Sequence, residues 1–234
     1  MKLAANLATD RYQFAIDQVG QLPAVGEKRV LFDIGAGDAR LRQCATLNWE
    51  WKGFDRQGWG DVEGWDLIDP CPLSDVRADA VLLLDVIEHL PNPGLALRNI
   101  ANAMKEGGSL ILTTPNPRWS GSRLSMFARG TLGGFSERDL EENYHVFPVW
   151  PHVLERFLGE AGFTVKLYVT LDGYATMFDT KGKRRRPVRY LANAIQVVIE
   201  AMDHSACGMS YAVVANKSLE SASKYFYPAG PVSC

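Results

Sequence analysis

The sequence predicts an α/β protein: one doubly wound, mostly parallel sheet in a single domain. Three observations carry this. Short apolar runs bounded by glycine and proline alternate with longer stretches of helical periodicity. Two of the runs, residues 79–85 and 109–114, are apolar almost throughout, as suits parallel strands covered on both faces. A third run, residues 30–34, breaks directly into Gly35-Ala36-Gly37 and a helix-compatible stretch, the unit that opens nucleotide-binding sheets. At 234 residues, 47% hydrophobic and 22% charged, the chain can bury one good core and has an ordinary globular composition.

The elements follow in order. Residues 3–19 read as an amphipathic helix with Leu7, Tyr12, Ile16 and Val19 among its apolar positions, and residues 21–28 as a turn-rich link. The strand at 30–34 precedes a helix at 39–46, a second strand at 49–55 ending in Asp55, a loop at 58–64 and a third edge at 65–68. The strand at 79–85 is followed by a helix at 91–105 that closes at Gly107-Gly108, then by the strand at 109–114 stopped by Pro115 and Pro117. Residues 118–144 look like an insertion over the carboxyl ends of the strands. A helix at 151–161, a strand at 163–171, an apolar helix at 188–202 and a strand at 209–215 complete seven strands. The organisation reads as a cofactor-binding core at 28–115, an acceptor-site insertion or lid at 116–150, C-terminal strands and helices at 151–216, and a tail at 217–234.

A net charge of −2 gives no global pull toward nucleic acid, which is not expected as a partner. Cys44, Cys71, Cys207 and Cys234 are scattered without a C-x-x-C pair, so neither a metal site nor a dithiol is expected, and reduced thiols fit a cytoplasmic protein. No signal-peptide pattern or membrane-length apolar run occurs. A basic run from Lys181 to Arg189 beside the helix at 188–202 suits peripheral contact with an anionic membrane, a phosphate-bearing acceptor, or simply a solvated loop.

The glycine turn carries the chemistry. Gly35 and Gly37 lack a Cβ, so the backbone can turn sharply and approach a ligand. A dinucleotide loop wants a third small residue where this chain has Arg40. It has instead Asp33, two residues before the first glycine. An acid there suits a ligand with a positive group, and a pyrophosphate would be repelled.

The string Asp33-Ile34-Gly35-Ala36-Gly37 resembles the first motif of class I S-adenosylmethionine-dependent methyltransferases, and from about residue 28 to 170 the order of signals is similar throughout. Within that class the chain resembles the group that includes ubiquinone-biosynthesis O-methyltransferases, above all in Asp85-Val86-Ile87-Glu88-His89-Leu90 after a buried strand. The resemblance implies a Rossmann-like seven-stranded sheet and S-adenosylmethionine as cofactor. It places Asp33, Gly35, Ala36 and Gly37 at the methionine end and Asp55, eighteen residues past Gly37, on the ribose. It places Asp66 and Leu67 on the adenine, with Asp69 competing for the role of Asp66, and Asp85 beside the methionine part.

His89 is a candidate catalytic base, since its ordinary pKa lies near the operating pH. The alternative is that Glu88 and His89 orient loops. His145 is the second candidate; His152 and His204 read as ordinary surface or helix residues. Apolar acceptor surface is expected from Trp119, Phe127, Phe135 and Tyr144. The acceptor implied is a small molecule, quinone precursor or glycan, methylated at oxygen. No N-P-P-Y-type string occurs after residue 114, which disfavours amide or exocyclic-amine acceptors. Two rivals remain: a nicotinamide oxidoreductase on a similar sheet, opposed by Arg40 and Asp33, and a non-catalytic relative. The oligomeric state has no sequence signal.

Overall fold

The computed structural model describes residues 1–22, 28–44, 49–172 and 187–218. Eight strands form one sheet: β1 (Ala5–Asn6), β2 (Arg29–Ile34), β3 (Trp49–Asp55), β4 (Val62–Gly64), β5 (Ala78–Leu84), β6 (Met104–Pro115), β7 (Phe163–Leu171) and β8 (Ser210–Lys217). Their order is β1-β7-β8-β6-β5-β2-β3-β4. β8 is antiparallel to β6 and β7, and every other pairing is parallel. The described helices are α1 (Arg11–Gln21), α2 (Pro93–Asn102), α3 (Ser120–Arg129), α4 (Glu137–Asn143), α5 (Pro151–Glu160) and α6 (Pro187–Met202).

The sheet is central because its middle strands are apolar on both faces. Ala80, Val81, Leu82 and Leu83 of β5 are all fully buried. The pleat sends Val81 and Leu83 into a core with Phe32, Leu97 and Leu154, and Ala80 and Leu82 into a second with Phe14, Leu31 and Ile111. The Phe32, Phe54 and Trp65 rings stack in series at 4.8 and 5.3 Å between centroids, filling the space beneath the carboxyl ends of β2 and β3.

Four expectations shift. The N-terminal helix does not begin at residue 3. Asp10 caps it, its carboxylate accepting from Tyr12 N and Gln13 N. That frees Ala5–Asn6 to pair with Val169 and Thr170 as an eighth strand. The helix expected at 39–46 is a 3₁₀ turn over Arg40–Cys44, and residues 45–48 lie outside the described set. The third edge is Val62–Gly64 rather than 65–68, because Gly53–Asp55 pairs with those three residues and leaves Trp65 and Leu67 to bury their side chains in the core. The insertion holds two helices, α3 and α4, the second opened by a capping box between Ser136 and Asp139. The basic residues 181–186, the link at 23–27 and the tail from 219 lie outside the described residues.

Candidate active site

β2 pairs with β3 on one side and β5 on the other, and the chain reverses its direction of travel across the sheet between them. Ligands of open α/β sheets bind outside the carboxyl ends of the strands at such a switch point. A cavity of about 550 Å³ opens there, in the size range of small-ligand sites. Gly35, Asp55, Asp66, Leu67, Asp85 and His89 are among its lining residues, with Tyr144 reaching in from the insertion. Asp33, Ala36, Gly37, Asp69 and His145 are not among them.

The turn after β2 is pinned from behind. Gly35 N and Ala36 N both donate to the Phe54 carbonyl, at 2.8 and 2.9 Å. Gly35 has φ +73°, and a Cβ there would sit 2.3 Å from Val86 Cγ2. Gly37 N donates to Asp55 Oδ2 at 3.1 Å, so the acid ending β3 braces the same turn. Asp55 Oδ1 accepts from Arg56 N at 2.7 Å. On the far wall Asp66 lies 3.6 Å from Arg56 and accepts from Ile68 N at 3.3 Å. Of the two acids that competed in the sequence, Asp66 faces the cavity.

Asp33 sits differently from the expectation. It is 3% exposed, and its carboxylate accepts from Trp51 Nε1 at 3.2 Å. Gly53 leaves room for that indole, since a Cβ there would lie 2.4 Å from the ring. Burial pushes the Asp33 carboxyl up to about 6.

At the end of β5, Asp85 holds φ +52°, a left-handed conformation that a non-glycine residue keeps only when its surroundings fix it. They do: Thr113 Oγ1 donates to Asp85 Oδ1 at 2.7 Å, and the Arg11 guanidinium pairs with Oδ2. Arg11 was missed in the sequence, because nothing in the first turn of an amphipathic helix marks a side chain that reaches a strand end seventy-four residues later. Glu88 is fully buried in the following 3₁₀ turn, where Thr114 Oγ1 donates to Oε2 at 2.9 Å. Burial, followed by the nearby Asp85 charge, raises its carboxyl to about 8.

The insertion docks on this turn. Val146 N donates to the Glu88 carbonyl at 3.0 Å, and the His89 and His145 rings meet edge to face at 4.9 Å. Phe135 stacks on His145 at 5.4 Å. Phe127, expected as acceptor surface, is instead 93% exposed on α3. Trp119 caps α3 at its N-terminus, its ring packed where a Gly121 side chain would be. His152 is exposed, as expected, and His204 opens a short turn.

A sequence profile described as a methyltransferase domain matches residues 11–167. The chain belongs to the methyltransferase-domain family. Solved structures share its fold. A SAM-dependent methyltransferase from Archaeoglobus fulgidus is 21% identical, with TM-score 0.58 over 88% of this chain and 94% of that one. An S-adenosylmethionine-dependent methyltransferase from Mesorhizobium loti is 14% identical, with TM-score 0.51 over 88% and 98%. The [4+2]-cyclase SpnF is 18% identical, with TM-score 0.54 over 88% and 81%. No curated protein matches the chain. The methyltransferase is thus an enzyme of the class its glycine turn predicted, and S-adenosylmethionine is the cofactor that class implies. Among the described residues no helix is long and apolar enough to cross a membrane.

Proposed function

We propose that this methyltransferase transfers a methyl group to an oxygen of a small molecule, quinone precursor or glycan. One observation carries the reading. The cavity has acids at its nucleoside end, Asp55 and Asp66, and an imidazole cluster at the other, His89 backed by His145. An oxygen acceptor must lose a proton, and an imidazole cluster at that end supports its loss. A nitrogen acceptor that is already neutral has a free lone pair and can do without the imidazoles.

S-adenosylmethionine fits the residues present. The turn at Gly35 admits no Cβ, and the acids Asp55, Asp66 and Asp85 line the cavity beside it, outnumbering the one lining cation, Arg56, as suits a cationic ligand. Bound there, the cofactor supplies an activated methyl on a sulfonium. Asp55 would take the ribose hydroxyls, and Asp66 with the Leu67 backbone the adenine edge. The turn from Gly35 to Gly37 would meet the methionine end, with Asp33 behind it and Asp85 at its side. Arg11, held by Asp85, offers a guanidinium to a carboxylate. Tyr144 would cover the mouth, with His89, backed by His145, at the acceptor end.

The sheet alone does not separate methyl transfer from other chemistry, since the cyclase SpnF shares it. The test is release of S-adenosylhomocysteine on incubation with a panel of phenols, catechols and sugars. Release with oxygen acceptors is expected. Release with amines alone overturns the oxygen reading, and binding of NADH in competition with S-adenosylhomocysteine favours the oxidoreductase.

The acceptor is read as membrane-bound or membrane-proximal. Leu191, Ile195, Val198 and Met202 form an i, i+4, i+7, i+11 stripe on α6, and all four side chains are exposed. The partners of α6 take its other side, where Gln196 is buried and Glu200 accepts from Ser120 Oγ at 2.5 Å. The residues before this helix and in its first turn, 181–189, carry Lys181, Lys183, Arg184, Arg185, Arg186 and Arg189 with no acid. An apolar stripe beside a cationic run matches an anionic bilayer surface.

A further inference from the structure

Glu88, His89 and His145 each offer one ligand atom within 4.8 Å of the others. Each is gripped on its far side. Thr114 Oγ1 donates to Glu88 Oε2, His89 Nδ1 faces the Tyr144 carbonyl at 3.1 Å, and His145 Nδ1 faces the Gly134 carbonyl at 2.6 Å. A ring nitrogen against a carbonyl carries the proton, so Nε2 of each imidazole keeps its lone pair. Glu88 Oε1 is buried and has no hydrogen-bond partner among the described residues. The cluster therefore gathers three ligand-capable side chains around one point, one of them with a buried carboxyl oxygen that has no partner, and a cation held by all three would satisfy it.

We infer that Glu88, His89 and His145 hold a divalent cation at the acceptor end of the cavity. Ligands about 2.0–2.2 Å from such an ion stand roughly 3–3.6 Å apart, so shifts of about an ångström close the set. Carbonyl groups fixing the second nitrogen of each histidine are the usual outer support of metal sites. Two imidazoles and one carboxylate favour a borderline ion such as Zn²⁺ or Mn²⁺ over Mg²⁺ or Ca²⁺, which prefer all-oxygen sets. Three protein ligands leave coordination positions open. Of the three ligands His89 lines the cavity, so the site borders it.

The role of the ion, though not the site, rests on the oxygen-acceptor reading. The cation would bind the acceptor hydroxyl and favour loss of its proton to solvent. The oxygen lone pair then forms the O–C bond as the C–S bond breaks, and the thioether leaves uncharged. In this role His89 and His145 are ligands rather than bases. The absence of a C-x-x-C pair had pointed away from metal, and the third ligand of this set comes from within the insertion, fifty-six residues after His89.

The test is calorimetric titration of the chelator-treated full chain with Zn²⁺, Mn²⁺ and Mg²⁺, with S-adenosylhomocysteine titrated in parallel. One equivalent of Zn²⁺ or Mn²⁺ is expected to bind, with Mg²⁺ weaker. His145→Ala, whose side chain is outside the cavity lining, should weaken metal binding about tenfold or more while the S-adenosylhomocysteine affinity holds. Glu88→Gln should do the same, provided its thermal unfolding matches the parent; His152→Ala is the surface control. No metal binding, or binding that His145→Ala leaves unchanged, overturns the site, and the two imidazoles then share a proton with Glu88. Failure of S-adenosylhomocysteine alone overturns the cofactor reading and leaves the metal result standing.

Discussion

Asp55 Oδ2 accepts from Gly37 N at 3.1 Å. The carboxylate expected to hold a ribose is thus also a brace of the glycine turn. It joins the end of β3 to the turn after β2, across which Gly35 N and Ala36 N already reach the Phe54 carbonyl. The two halves of the proposed cofactor site are one hydrogen-bonded unit.

Two variants of Asp55 separate its functions. Asp55→Ala loses both the brace and the ribose acceptor, and should weaken S-adenosylhomocysteine binding about tenfold or more, roughly 1.4 kcal/mol. Asp55→Asn keeps one oxygen for Gly37 N but gives up the charge, so its loss should be smaller. Calorimetry checks both, and an unchanged affinity in Asp55→Ala removes the residue from the site.

Gly35→Ala tests the cradle. The new Cβ meets Val86 Cγ2 at 2.3 Å and takes a φ of +73°. Backbone strain of this kind costs on the order of 1–3 kcal/mol. Adding Val86→Ala should relieve the clash but not the strain, recovering part of the stability in urea unfolding. Full recovery would show that contact, rather than backbone geometry, demands the glycine.

The sheet was legible because its cause is local. Parallel strands buried on both faces must be continuously apolar, and Val81 to Leu83 and Leu110 to Leu112 are. Asp55, Asp66 and Asp85 were legible because each ends or follows a strand, and strand ends at a switch point share one crevice. What escaped was tertiary. Ala5–Asn6 has too few residues to show a period, and it becomes a strand only because β7 offers an edge. Arg11 and the His89–His145 contact depend on where a helix start and an insertion land, and no spacing records that. Asp33 was placed by motif at the ligand, while the Trp51 indole decides where its carboxylate goes.

The exposed stripe of α6 gives a membrane prediction. Purified protein should sediment with vesicles containing anionic phosphatidylglycerol and not with neutral phosphatidylcholine vesicles. Each surface cation contributes about 1 kcal/mol near such a membrane, and salt screens it. Val198→Glu, on the stripe, should abolish co-sedimentation without changing S-adenosylhomocysteine affinity. Vesicle binding that survives both high salt and this substitution assigns the contact to another surface. Self-association that Val198→Glu abolishes, with no vesicle binding, assigns the stripe to a second copy of the chain.

Asp33 links stability to pH. Its carboxyl is raised from 3.8 to about 6 by burial, against the smaller effect of the Trp51 hydrogen bond. The folded chain therefore keeps this proton up to about pH 6, while the unfolded chain gives it up near 3.8. The stabilising contribution is complete below pH 3.8 and is lost as pH rises through 6, by about 3 kcal/mol. Asp33→Asn cannot titrate, so its stability relative to the parent should climb by that amount between pH 4 and 7 and then stay level, as followed by urea unfolding at each pH. A gap that is flat across this range would mean the carboxyl keeps its ordinary pKa. The same ionisation should appear in binding. A carboxylate behind the glycine turn favours the ammonium of a methionine moiety only when charged, so the parent should bind S-adenosylhomocysteine more tightly at pH 7 than at pH 5, and Asp33→Asn should lose that gain. If the variant binds as the parent does at every pH, Asp33 is a strut of the turn and makes no contribution to holding the ligand.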